Sequence, residues 1–501
     1  MSYRQVLFIS FLAFCIIVAV SYTRTGAGKE RKEDFGNDTC HITPVNLPVN
    51  IVPGFSFPLD SNQVYQWIND HYDSAKIYQH AWGIRAGLTA QSGEVLAGDS
   101  LLVYQTWYGP EDITNAIDNS SKGGKTGFKK TNRTILQIPK QFIRTGLVQT
   151  TKVTLPGGKG LHKLSVDKLV SMRSRMVLST AADTFPVIEG IAYNPPSADY
   201  LVSRSLFKLS VLDSLRKSNA ISAIPPFPNS AINLKPTYFI AHTSIERYIK
   251  ILVWQGVPPR KIFPDTVAQY NSYVFVDAMN RQQSGKALVP VAGNQPRTAA
   301  ATCNLTDFIH FKIDARMASL LVGQGINASV GDVALLVAMH VATKEISNWT
   351  WQSFYWAPNP GEPFAPSSRM ADSLKPSAYL TGAASHYAVG AAYAMVLPNQ
   401  PIDGGTNTGV SPMFGYNPYL EGNITGLPSK LNSSFTYGVQ SNCMSCHAQA
   451  TLSGSLGYDA DEYVSMSDTM FKNDVQLDFS WSIQENIDST NTNKSKKRND
   501  R

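Results

Sequence analysis

The sequence predicts an α+β fold with an antiparallel, β-rich core, scattered helices and a C-terminal part that carries the chemistry. Three observations lead there. Short runs rich in β-branched and aromatic residues, bounded by turn residues, recur through the middle of the chain. Two of them, VALLVAMHVA (333–342) and WTWQSFYW (349–356), flank a short polar stretch containing Asn348, as in an antiparallel hairpin. Strands and helices do not alternate regularly, which argues against a doubly wound parallel sheet.

The elements follow in chain order. Behind Arg4, residues 6–20 (VLFISFLAFCIIVAV) form an apolar run that is short for a membrane span and suits a signal h-region. Ala19 and Ser21 stand at the −3 and −1 positions of a cleavage site. Residues 1–21 are therefore expected to be a signal peptide, or an uncleaved N-terminal anchor, and the rest is expected to be exported to the periplasm or beyond. Residues 61–90 are expected to be helical in one or two pieces, and 110–135 and 152–163, rich in Gly, Lys and Ser, to be loops. VIEGIAY (187–193), PTYFIAH (236–242), IKILVWQ (249–255), SYVFVDA (272–278) and DFIHFKI (307–313) are expected strands. Helices are expected over 197–217, with its spaced Leu and Val, and over the Ala-rich 377–395. VQLDFSWSI (475–483) alternates apolar and polar residues, the period of a half-buried strand. The turn-rich stretch 358–366 is the expected break between a β-rich α+β domain (22–357) and a C-terminal region (358–484) packed on it, and 485–501 is expected to be a disordered basic tail.

Composition bounds the function. A chain of 501 residues exceeds one ordinary core, and with 43% hydrophobic and 16% charged residues most of it should fold. The net charge of +7 is modest, and its Lys and Arg are scattered, so nothing supports a nucleic-acid role. KGGKTG (122–127) lacks the first glycine of a P-loop, because Asn119 stands there.

The cysteines are the sharpest signal. If Cys15 leaves with the signal, Cys40, Cys303, Cys443 and Cys446 remain, and Cys40 and Cys303 are a candidate pair in an oxidising compartment. Cys443, Cys446 and His447 spell C-x-x-C-H, open to three readings: c-type haem attachment, a redox dithiol, or half of a zinc site. A zinc site needs a second close ligand pair, and none exists in the sequence. A thioredoxin-like dithiol belongs early in a small βαβ domain, whereas this one comes late, after a loop. Haem attachment is favoured. On a helical turn, positions i, i+3 and i+4 share a face, so both thiols can reach the vinyl groups of haem c while the imidazole reaches the iron. A chance match in a chain with this many Cys and His is expected on the order of once in a thousand chains. Candidate sixth iron ligands are Met466 and Met470, four apart, and His340 in the first hairpin strand, although a Met among apolar residues is commonly core packing. His242, His310 and His386 are expected to be structural. Tyr416, Tyr419, Phe435 and Tyr437 could cover a porphyrin or simply fill the core.

The stretch YNPYLEG (416–422), followed by SNCMSCHAQA (441–450), resembles the C-terminal part of large, exported, single-haem bacterial proteins of the cytochrome c family. HAWGIRAGLTA from His80, YQTWYGPEDI from Tyr104, AINLKPTYFIAH from Ala231 and LLVAMHVATKEISNWTWQSFYW from Leu335 extend the resemblance over roughly residues 55–460. It implies one covalent haem and electron transfer with a redox partner protein or a small-molecule donor or acceptor, and it implies no substrate. A haem-dependent oxidoreductase, peroxidase-like or oxidase-like, or a haem-based ligand sensor are the alternatives, because a simple carrier does not need so long a chain.

Overall fold

The computed structural model describes residues 42–96, 98–121, 128, 187–256, 272–323, 326–397, 411–421, 441–454 and 459–487. The N-terminal segment with Cys15 and Cys40, the KGGKTG stretch, Phe435, Tyr437 and residues 488–501 lie outside them. Residues Ile42–Arg501 fall in one compact unit. No helix among the described residues is long and apolar enough to cross a membrane.

The fold is α+β with an antiparallel β-rich core. Its centre is a sheet of β1 (Val187–Glu189), β2 (Ala192–Tyr193), β3 (Ile232–Ala241), β4 (His310–Lys312), β5 (Val333–Thr343), β6 (Thr350–Trp356) and β7 (Tyr387–Ala392). The order is β7-β6-β5-β3-β1, with β4 paired to β5 and β2 to β3, and every pairing is antiparallel. β5 and β6 form the expected hairpin, in register from Ala338 opposite Tyr355 to Thr343 opposite Thr350. Almost every residue of these two strands is buried, which is why they read as continuous apolar runs: both faces of the sheet are covered. The sheet takes strands from both sides of residues 358–366. A second sheet joins Tyr248–Leu252, Ser272–Asp277, Val291–Ala292 and Thr302–Asn304, the last pairing parallel to Ser272–Asp277.

Helices α1 (Ser61–Asn69) and α2 (Ser74–Leu88) occupy the 61–90 region as expected, capped by Asp60 and Asp73, whose carboxylates accept from the amides of Asn62 and Lys76. Where a helix is expected over 197–217, the chain forms two, Pro195–Ser203 and Leu209–Leu215. α2 covers one face of the hairpin: Trp82 packs on Phe354 and Arg85 lies over Phe354 and Tyr387. The opposite face carries His340 and Ser353, directly opposite each other by register, and Trp351, two residues before Ser353 on β6, and it faces the C-terminal segment.

Three local expectations differ from the structure. Residues 387–392 form a strand rather than a helix. The small residues there answer to close approach and not to helix propensity: a Cβ on Gly390 would lie 2.9 Å from Pro366 Cγ, and one on Gly415 would lie 2.6 Å from Ala392 Cβ. Within 475–483 only Val475–Gln476 is strand, and Trp481–Glu485 is helix, because Asp478 and Phe479 turn the chain through left-handed backbone. Within 110–135, Pro110–Ser121 is helical, held by its buried Pro110, Ile113, Ala116 and Ile117.

Candidate functional site

The C-x-x-C-H motif folds as α3 (Cys443–Ala448), a helix short enough that its caps decide its position. Asn442, fully buried, caps it: its Oδ1 accepts from the amides of Met444 and Ser445 at 2.8 and 3.2 Å. The same side chain donates from Nδ2 to the carbonyls of Ala394, Met395 and Met413 at 3.0, 3.4 and 2.7 Å. One asparagine thus ties the start of the motif helix to the chain beyond β7. Gly415 ties the next residue, its carbonyl accepting from both the amide and the thiol of Cys443, at 2.9 and 3.0 Å.

Cys443, Cys446 and His447 occupy positions i, i+3 and i+4 of this helix, and neither cysteine is in a disulfide. Burial pushes the Cys443 thiol well above its ordinary pKa, and the neighbouring Glu421 and Cys446 push the same way.

His447 is held on two sides. Its ring packs on Trp351 of β6, with centroids 4.2 Å apart and planes tilted by 39°. Its Nδ1 donates to the carbonyl of Phe479 at 2.8 Å. A proton on Nδ1 puts the lone pair of the neutral ring on Nε2, the tautomer a metal-ligating imidazole adopts when its other nitrogen is bonded to a backbone carbonyl. The helix itself is fixed from below by Trp481, whose Nε1 donates to the Cys446 carbonyl at 3.1 Å.

The structure brings one further sequence candidate to the motif. His340 lies in β5 with its Nδ1 3.9 Å from Cys443 Sγ. Both of its ring nitrogens have partners: Nδ1 with Ser353 Oγ and Nε2 with Glu421 Oε1, each at 2.7 Å. With Nε2–H donating to the carboxylate, Nδ1 accepts from the serine hydroxyl. Glu421 is held by the amide of Asn417, 2.7 Å from Oε2. Burial works against its ionisation, but His340, the Asn417 amide and Lys235 together bring its pKa below the usual glutamate value.

Met466 and Met470 are half-buried and pack against the same apolar cluster that contains Cys443 and Met444. Tyr416 and Tyr419 are buried, Tyr416 edge-on to Trp254 with its hydroxyl donating to the Ala365 carbonyl, and Tyr419 donating to the Trp356 carbonyl. The three histidines expected to be structural have partners: His242 bonds Asp332 at 2.9 Å, His310 bonds the Phe308 carbonyl at 2.8 Å, and His386 Nε2 lies 3.5 Å from Asp307 Oδ1. Cys303 is buried, 3.6 Å from the Phe275 carbonyl. Among the described residues no group of three His, Cys, Asp or Glu side chains is arranged to hold a metal ion.

Sequence reasoning missed Glu421, Trp351 and the Phe479 carbonyl. Glu421 is the acidic residue of YNPYLEG, and Trp351 sits in the hairpin strand already singled out. Phe479 carried no signal, because a backbone carbonyl has no sequence signature. No protein-family model, curated protein or solved structure matches the chain.

Proposed function

We propose that this chain is an exported c-type cytochrome holding one covalent haem through Cys443 and Cys446, with His447 as an axial ligand, and that it passes electrons to a partner in the periplasm. The observation that carries this reading is the motif helix. It places two thiols and an imidazole at i, i+3 and i+4, and the bond from Nδ1 to the Phe479 carbonyl selects the tautomer with its lone pair on Nε2. When bound, haem c supplies a one-electron centre whose potential follows its axial ligands and their hydrogen bonds. The protein's own share is then clear. Asn442 and Gly415 set the helix, and Phe479 and Trp351 orient His447.

A second reading, a haem-dependent oxidoreductase, gains from His340 and Glu421. They form an acid–base pair 2.7 Å apart beside Cys443, the kind of group that proton-coupled chemistry needs.

The test is expression of the full chain in a host with haem-attachment machinery, followed by haem staining after denaturing electrophoresis. The wild type should stain, and the double variant Cys443→Ala, Cys446→Ala should not. A wild type without covalent haem sinks the proposal. In the ferrous protein, an absorption spectrum unmoved by carbon monoxide marks a six-coordinate carrier, whereas rapid binding selects the oxidoreductase.

A further inference from the structure

Asp478 and Phe479 are consecutive residues in left-handed backbone, with φ of 46° and 65°. Neither is glycine, so steric repulsion between Cβ and backbone opposes both. Such residues persist only where their surroundings over-determine them, and they gather where a site needs a group aimed.

The surroundings here are specific. Asp478 Oδ1 pairs with Lys344 Nζ at 2.5 Å, with the two side chains only 12% and 6% exposed. Its Oδ2 accepts from the amide of Phe227 at 2.9 Å. Lys344 immediately follows β5, at the tip of the central hairpin, where Nζ also donates to the Ser347 carbonyl at 2.7 Å and lies 5.5 Å from the Trp349 ring centre. What the strained turn delivers is the Phe479 carbonyl, 2.8 Å from His447 Nδ1. The tip of the same hairpin also supplies Trp351 against the other side of that imidazole.

We propose that Lys344 and Asp478 are positioning residues: their buried ion pair holds the left-handed turn so that the Phe479 carbonyl fixes the His447 tautomer and strengthens Nε2 as a donor to iron. The proposal rests on the haem reading above. A carbonyl accepting from Nδ1 increases electron density on the imidazole and favours oxidised iron. Loss of the clamp therefore raises the reduction potential. An ion pair that only tied the C-terminal segment down would leave the potential alone.

The experiment is redox titration of the haem-loaded full chain, with covalent haem measured in parallel. Asp478→Asn should retain its haem and shift the midpoint upward by about 59 mV, a tenfold change in preference for the reduced state. Asp478→Gly removes the carboxylate yet adopts positive φ without a Cβ clash, so it should keep its haem and a potential nearer the wild type than that of Asp478→Asn. Lys344→Arg, which keeps the charge, should stay near the wild type. An unchanged potential in Asp478→Asn, with covalent haem intact, overturns the clamp while leaving the haem reading standing. A wild type without covalent haem removes both. In the wild type itself, NMR should find the His447 Nδ1 proton protected from solvent exchange, and rapid exchange there overturns the proposal without any variant.

Discussion

Arg85 and Lys344 are two buried cations on opposite faces of one hairpin, and they are accommodated in opposite ways. Lys344 has a carboxylate, Asp478, and a backbone carbonyl as partners. Arg85, with no exposed surface, has neither among the described residues. Its Nη1 lies 3.8 Å from Met339 Sδ, its Nε and Nη2 have no hydrogen-bond partner among the described residues, and its guanidinium sits between the rings of Tyr387 and Phe354, 4.3 and 5.2 Å from their centroids. Burial lowers its pKa, with nearby tyrosines opposing. The lesson is one of geometry. An ion pair with directional hydrogen bonds fixes orientation, and it occurs on the face that carries the motif. Aromatic rings hold a cation without fixing its direction, and here they do so for Arg85 on the face that α2 covers.

Substituting Arg85 tests this contrast most severely. Arg85→Ala empties a site walled by large side chains and should destabilise the fold by on the order of 3–5 kcal/mol, as other large-to-small core changes do. Arg85→Met fills much of the same volume and removes a charge with no ionic partner, so it should remain within about 1 kcal/mol of the wild type or exceed it. Denaturant unfolding measures both. If Met is as damaging as Ala, the charge itself is used and the contrast between the two faces fails.

Glu421 tests the other face. Glu421→Ala leaves the Nε2–H of His340 and the amide of Asn417 without their acceptor and should cost about 2–3 kcal/mol, whereas Glu421→Gln keeps an acceptor and should cost less than half of that. Equal losses would mean that side-chain volume, and not hydrogen bonding, sets this face.

The two faces were unequally legible in the sequence. The hairpin announced itself because burial on both sides demands a run of apolar, β-branched and aromatic residues, and nothing else in VALLVAMHVA and WTWQSFYW competes with that demand. The motif was legible for a different reason: its spacing is imposed by the chemistry of the group it would hold. The residues that position it were not. Glu421 is distant in sequence from His340, and its role depends on a fold that linear spacing does not encode. In 475–483 the alternation was genuine, but the Asp478 carboxylate and the Phe479 carbonyl have tertiary obligations to Lys344 and His447, and these override the strand pattern. Arg85, in a helix expected from its pattern, gave no hint that it would be buried without a counter-ion.

The smallest expected effect is the acid limb of stability, which distinguishes carboxylates with partners from a cation without one. Glu421 has a folded pKa below its usual value, so its contribution is present at neutral pH and is lost as pH falls through that lowered value. Asp307 follows the same rule with a stated window. Burial opposes its ionisation, but His386, Ser284 and the amides of Asn304 and Gly285 outweigh it and bring its pKa down to about 2. Its share is complete above about pH 4, the ordinary aspartate range, and disappears as pH falls toward 2. Unfolding free energy should therefore decline over that window with a slope approaching one proton taken up on unfolding per such carboxylate. Asp307→Asn should flatten the limb by its own share, and Glu421→Gln should do so over its own range, whereas Arg85→Met should leave the limb unchanged because no carboxylate answers to Arg85. An acid limb flattened by Arg85→Met would reveal an ionic partner for that guanidinium and erase the difference between the two faces.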